Sequence, residues 1–167
     1  MSAIERYREL YEHEKDSNHK MLSMIDGVPA DARTDPRFAR AVTIAAHLAA
    51  CRSNWLKMIE TGEGDEPWWE RDVDPATLGP RYAKVEALWT EYLAKLDDDG
   101  LAQPFIFADG PGRYRGHVEG QVLQLVGHSD YHRGQVVLLV DQLGGETVET
   151  DYVNWICERD LRWGEAE

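Results

Sequence analysis

Cysteine is nearly absent from this chain. Cys51 and Cys157 are the only two. They form no Cys-x-x-Cys pair and are too few for a disulfide framework, so a small cross-linked scaffold is excluded and both read as reduced thiols. Basic residues are also scarce, 18 Lys and Arg against 31 Asp and Glu, which leaves a net charge of −13. A field of that sign repels phosphate backbones, and no Lys/Arg-rich stripe overrides it locally. Nucleic acid is therefore excluded as the expected partner. Nothing approaches the ~18 consecutive apolar residues of a membrane span, and the start does not resemble a signal peptide. The expectation is a cytoplasmic protein with no membrane partner. Internal repeats, linkers and low-complexity segments are lacking too.

What remains is an ordinary globular composition, 43% hydrophobic and 29% charged over 167 residues. That length suits one domain, residues 1–167, with a core of its own. Helical spacing dominates. Ile4, Tyr7, Tyr11, Met21, Leu22 and Ile25 predict a first helix over about Ser2 to Asp26, punctuated by Gly27 and Pro29. Glu14 and Asn18 fall on its apolar stripe, so something polar is expected across from them. Thr34 or Asp35 with Pro36 opens a second helix that runs to about Glu60. A polar, aromatic loop follows to about Asp74 and contains Trp68 and Trp69. Leu78, Tyr82, Val85, Trp89, Tyr92 and Leu96 alternate steps of four and three, a seam for a third helix. The run Asp97-Asp98-Asp99 opposes the macrodipole at its end, where fraying is expected.

Phe105-Ile106-Phe107, then Asp109-Gly110-Pro111-Gly112, predicts a short β-ribbon or extended loop crossing the bundle end. A fourth helix begins near His117 and ends before Gly144-Gly145. A short terminal helix runs from Asp151 to about Trp163, packing through Tyr152, Trp155 and Ile156. The fold class that follows is all-α: a four-helix bundle with a long crossover between helices two and three, a ribbon before helix four and a short C-terminal helix. The unequal connections argue against a plain up-and-down arrangement.

Within the fourth helix, His128 and His132 stand i and i+4 on one face. Two imidazoles placed this way form half of a transition-metal site. The pair is not a zincin motif, because Ser129 stands where the general-base Glu is required, and Asp130 is turned roughly 200° from His128 at ~3.6 residues per turn. A third ligand must come from another helix. His13 and His19 lie among charged residues and His117 at a helix start; His47 alone sits mid-helix among small apolar residues. A buried neutral imidazole needs partners for both ring nitrogens, and a metal satisfies one. Three histidines leave coordination positions open, the pattern of catalytic sites. The competing reading is that all three are merely packed.

Read together, His47-Leu48-Ala49-Ala50-Cys51-Arg52-Ser53-Asn54-Trp55-Leu56 and His128-x-x-x-His132-Arg133-Gly134-Gln135 resemble the DinB/YfiT-like family of metalloenzymes. Leu143-Gly144, Asp151-Tyr152-x-x-Trp155 and Asn18 on the first helix extend the resemblance over nearly the whole chain. Of these, His-Arg-Gly-Gln is the specific element and the rest is diffuse. The resemblance implies a four-helix bundle whose His47, His128 and His132 ligate a divalent metal, commonly zinc or nickel. Relatives of this kind include thiol-dependent transferases and isomerases that use low-molecular-weight thiols such as mycothiol or bacillithiol.

Gln135 lies near the histidine stripe, where it either orients a ligand, bonds substrate or packs against polar neighbours. Cys51, four residues after His47, is a fourth ligand or a small buried thiol. Asn18 and Glu14 reach the open side of the site or make buried interhelical hydrogen bonds. Gly134 is expected to permit close helix approach, Arg133 to pair with a carboxylate, and Trp68 and Trp69 to line a substrate entrance or to cover the bundle end. The leading expectation is a metal-dependent enzyme acting on a small molecule, by thiol transfer or isomerisation or by metal-assisted hydrolysis. A non-catalytic metal-binding stress protein or sensor is the alternative, and a metal-free interaction module a third. A homodimer is a further expectation, with no interface fixed by sequence.

Overall fold

The computed structural model describes residues 1–159. Helix α1 spans Ala3–Asp26. Ser2 accepts from the Glu5 amide, and Glu5 returns a bond to the Ser2 amide, so a reciprocal capping box starts it. Asp35 caps α2 (Pro36–Thr61), with Pro36 filling the first position, where no amide is needed. The helix ends at Gly62, whose φ of 87° only glycine adopts cheaply. A Cβ there would also meet the Ile106 carbonyl at 3.0 Å, because the ribbon docks on this turn.

Helix α3 spans Leu78–Lys95 and is followed by one helical turn, α4, at Asp98–Leu101. The acidic run does not fray. Asp97 accepts from the Gly100 amide at 2.8 Å, and Asp98 reaches across to accept from Ile4 at 2.8 Å, adding a cap to α1. Carboxylates that oppose the dipole of one helix thus complement the N-termini of two others.

Strands β1 (Pro104–Asp109) and β2 (Gly112–His117) pair antiparallel, with Phe105 opposite Gly116 and Asp109 opposite Gly112. Gly110 takes the positive-φ corner at 56° that a two-residue hairpin loop requires. Phe105 is buried, Phe107 packs edge-on to Trp55, and the Ala108 amide bonds the Gly62 carbonyl, fastening the ribbon to the end of α2. Helix α5 spans Val118–Gln142 and α6 Tyr152–Arg159. Trp155 and Ile156 are buried as expected. The expected extension of α6 to Trp163 lies outside the described residues.

Helix α1 packs against α3 and α5, and α2 packs against the same two, while α1 and α2 meet only sparsely. The four long helices therefore run around the bundle in the order α1, α3, α2, α5. Sequence neighbours α1 and α2 sit on a diagonal, so the bundle is not plain up-and-down. No helix among the described residues is long and apolar enough to cross a membrane.

The core is divided. One apolar cluster holds Met21, Ile25, Val42, Ala45, Tyr82, Val136 and Val140. A second, toward the ribbon, holds Tyr7, Tyr11, Leu56, Trp89, Leu93, Val122 and Leu125. Between them lies a buried polar layer of Glu14, Ser17 and Asn18 from α1, Arg52 from α2, Glu86 from α3, and Ser129 and Arg133 from α5. Arg52 donates to Glu14 and to Ser129 (3.1 Å), and Ser129 donates to Glu14 at 3.0 Å, closing a three-membered ring. Arg133 bonds Asn18 at 3.1 Å and pairs with Asp130. The polar partners that Glu14 and Asn18 require are thus arginines of α2 and α5. Burying these charges is tolerable only because each has its counterpart.

A three-histidine centre between two helices

The polar layer fixes the rotation of α5. Ser129 and Arg133 point inward to α1 and α2, so His128 and His132, one residue earlier in each case, turn to the neighbouring face beside α2. His47 meets them there. One ligand atom from each of His47, His128 and His132 lies within 4.8 Å of the others. His47 Nε2 and His128 Nε2 are 3.4 Å apart. Tetrahedral coordination at about 2.0–2.1 Å places ligand nitrogens ~3.4 Å from each other, so this pair already has the spacing of two ligands on one ion.

The outer nitrogens are occupied in the way a metal centre requires. His47 Nδ1 donates to the Trp68 carbonyl at 2.6 Å. A carbonyl can only accept, so the proton is on Nδ1 and the Nε2 lone pair is free. His132 Nδ1 donates to Gln135 Oε1 at 2.8 Å, again leaving Nε2. Burial pushes His47 below the usual imidazole range; the Trp68 carbonyl opposes that shift, while His132 and Arg40 add to it. His128 is lowered to about 4, first by burial and then by His132, His47 and Arg52. Both rings are neutral near pH 7, as ligands must be. The donor set fits a divalent transition ion.

The remaining sequence-predicted residues fall differently. Gln135 orients His132. Asn18 lies in the polar layer on Arg133, behind the histidines rather than among them. Cys51 Sγ is 3.5 Å from His47 Nε2 and 3.6 Å from Nδ1. A point nearly equidistant from both ring nitrogens is off the direction of either lone pair, so the sulfur sits beside the ring rather than where the nitrogens converge. Burial pushes this thiol up to about 12. Among the described residues no cysteine or carboxylate joins the convergent set.

One expectation needs correction. Gly134 is not a close-approach glycine: a Cβ there would meet nothing within 4 Å, because that face of α5 is open. Trp68 and Trp69 do more than cover the bundle end. The Trp69 ring stacks on His47 at 3.6 Å and 5°, edge-on to His132, forming a wall of the site, while the Trp68 carbonyl sets the His47 tautomer.

Asn54 went unnoticed in the sequence. It is buried, and its Oδ1 accepts from the Asp65 and Glu66 amides (3.1 and 2.9 Å) while Nδ2 donates to the Glu66 carbonyl at 2.8 Å. One side chain thereby satisfies three backbone groups of the loop that delivers Trp68 and Trp69. Arg40, His47 and Asn54 are spaced by seven, two turns apart on one face of α2, and each grips this loop. The signal available was Asn54 lying seven residues beyond a candidate ligand. His13, though flanked by charged residues in sequence, is buried, donating to the Thr150 carbonyl at 2.8 Å against Tyr152 and Trp155.

The arrangement agrees with the sequence comparison. The family model of the DinB family matches residues 1–160. The chain belongs to the DinB family. Neither the curated proteins nor the solved structures hold a significant match to it. Within the DinB bundle, the His-Arg-Gly-Gln run divides its work: His132 turns to the site, Arg133 into the polar layer, and Gln135 back onto His132.

Proposed function

We propose that this DinB protein is a divalent-metal-dependent enzyme acting on a small molecule, with zinc or nickel held by His47, His128 and His132. The observation that carries the reading is the paired tautomer control, Trp68 carbonyl on His47 and Gln135 on His132, which frees Nε2 of both rings toward one point. An ion at that point would take both lone pairs, whereas without one the His47 lone pair could be met only by a proton on His128 Nε2, 3.4 Å away. Three neutral ligands leave coordination positions open, which separates this centre from a structural four-ligand site.

When bound, the ion supplies a Lewis acid that lowers the pKa of water or of a thiol and presents it to an electrophile. The chain's own groups hold and shape that space. Trp69 excludes water from one side of His47, Gln135 keeps His132 from rotating, and the Glu14–Arg52–Ser129 ring beneath keeps α5 in register. Among the described residues no carboxylate joins the convergent set as a further ligand. A low-molecular-weight thiol, which gives up its proton more readily than water, would be the nucleophile best suited to such a centre. Thiol-dependent transfer or isomerisation is therefore preferred over hydrolysis.

Elemental analysis of the wild type, His47→Ala and His132→Ala tests the centre. About one equivalent of metal is expected in the wild type and a substoichiometric amount in each variant; equal content in all three removes the site. Zinc- or nickel-loaded protein is then incubated with a panel of thiols and electrophiles. Thiol consumption that disappears in His47→Ala supports the enzyme. Metal binding without turnover of any thiol, electrophile or hydrolysable ester assigns a binding protein or sensor instead.

A further inference from the structure

We infer that the substrate of this centre is an organic anion, and that Arg40 is the residue that recognises its carboxylate or phosphoryl group. The inference rests on the metal reading above and extends it to substrate class.

Arg40 stands two turns before His47 on the same face of α2. Its guanidinium lies 5.1 Å from the centre of the Trp69 ring, and that ring stacks on His47 at 3.6 Å. Arginine, tryptophan and histidine thus make one continuous column from solvent to the metal-binding nitrogens. The arginines around the start of α2 differ in one respect. Arg37 is held by Asp35, and Arg33 donates to the carbonyls of Val28 and Asp26. Arg40 is exposed, and among the described residues no carboxylate pairs with it; its described partner is the Trp69 ring. Other described arginines also lack a carboxylate, but Arg40 is the one that stands over the ring stacked on His47.

Charge at the centre points the same way. Three neutral imidazoles would cancel none of the two charges of a divalent ion, and among the described residues no carboxylate joins the convergent set to cancel them. Arg40 adds a third. The result is a local positive focus inside a molecule of net charge −13. A field of that shape repels anions from the general surface and holds them at one place. Arginine's planar fork offers two parallel N–H donors, which match the two oxygens of a carboxylate or phosphoryl group. The contact with Trp69 keeps the guanidinium 5.1 Å from the ring that stacks on His47, so its charge is beside the site before the ligand arrives.

The test uses the full-length protein loaded with cobalt(II), whose visible spectrum reports ligands entering the metal sphere. Wild type, Arg40→Gln and Arg40→Lys are titrated with malonate, methylphosphonate and the neutral malonamide, by spectrum and by calorimetry. All three proteins are expected to bind cobalt equally. Malonate or methylphosphonate should perturb the wild-type spectrum and bind at least tenfold more weakly to Arg40→Gln, with Arg40→Lys recovering part of the loss and malonamide silent throughout. The tighter of the two anions identifies the acid group. Anion affinities within twofold of each other in wild type and Arg40→Gln, or malonamide binding as tightly as malonate, overturn the recognition role while leaving the metal centre standing. Failure of the wild type to bind cobalt overturns both.

Discussion

Replacing Asn54 with alanine separates the stability of the bundle from the assembly of the metal centre. The side chain makes three hydrogen bonds to the backbone of residues 65 and 66. Each contributes about 1 kcal/mol net. Asp65 is exposed and Glu66 half-buried, so their freed amides turn to water and the full penalty of orphaned groups is avoided. The expected loss is ~1–3 kcal/mol, which lowers Tm by about 2–12 °C at ~2–4 °C per kcal/mol for a chain of this size. The functional consequence is larger in proportion. Once the loop is loosened, the Trp68 carbonyl is no longer delivered to His47 Nδ1, and loss of such an orienting partner typically costs ~10–100-fold in metal affinity. Asn54→Asp keeps the two accepted bonds but sets a carboxylate oxygen against the Glu66 carbonyl, so it should lose stability and metal affinity relative to wild type as well. Calorimetry of the apo protein reads the first quantity, and competition with a chelator reads the second. A Tm loss with metal affinity within twofold of wild type would refute the reasoning, because it would show that His47 keeps its tautomer without the loop.

The other predictions concern the layer beneath the site and the site itself. Glu14→Ala leaves Arg52 buried without its carboxylate and should cost about 3–5 kcal/mol in chemical denaturation; a loss below ~1 kcal/mol would mean the ring with Ser129 is not holding the bundle. Cys51→Ala should leave metal stoichiometry and the cobalt spectrum unchanged, since its sulfur lies beside the His47 ring; loss of an intense sulfur-to-cobalt charge-transfer band on substitution would instead make it a ligand. For pH, the folded His128 is held to about 4 against an ordinary 6.5. The unfolded chain therefore takes up a proton in that window that the folded chain refuses, and apo stability should fall as pH drops from 6.5 toward 4. His128→Gln should flatten part of that slope in denaturation curves collected across the window, and identical slopes in the two proteins would break the link.

The helices were legible because their start and stop signals are local. Asp35-Pro36, Gly62 and the seam from Leu78 to Tyr92 each act through residues within a turn of one another. His128 and His132 were legible for the same reason, their spacing being a property of one helix. His47 needed only the further observation that an imidazole lay in a row of alanines. What the sequence concealed was tertiary. The acidic run Asp97-Asp98-Asp99 reads as a poor helix end until it is known that Asp98 faces the first turn of α1, a partner 94 residues away in sequence. Gly134 reads as a packing glycine until α5 is seen to leave that face open. Asn54 shares the spacing of seven with His47, but its partners belong to a loop whose path has no pattern to betray it.

Ser129 shows why a site can be half visible from its own motif. At the position where a zincin carries its base, a serine removes one reaction class and offers nothing in exchange to a reader of sequence. In the fold it donates to Glu14 and accepts from Arg52 in the buried layer, while Arg133, four residues on, reaches Asn18. Both anchors are one residue beyond a histidine of the site, which at 100° per residue means that whatever fixes Ser129 and Arg133 inward also fixes His128 and His132 toward α2. The polar layer is therefore not a cost the core carries beside the metal centre. It sets the rotation of α5, and an apolar replacement of the same volume would free that helix to turn about its axis. Such a replacement, Glu14, Arg52 and Ser129 exchanged together for packed aliphatics, would be expected to preserve or raise stability while weakening metal binding. Stability and affinity rising together in that triple variant would show that apolar packing alone aims the histidines.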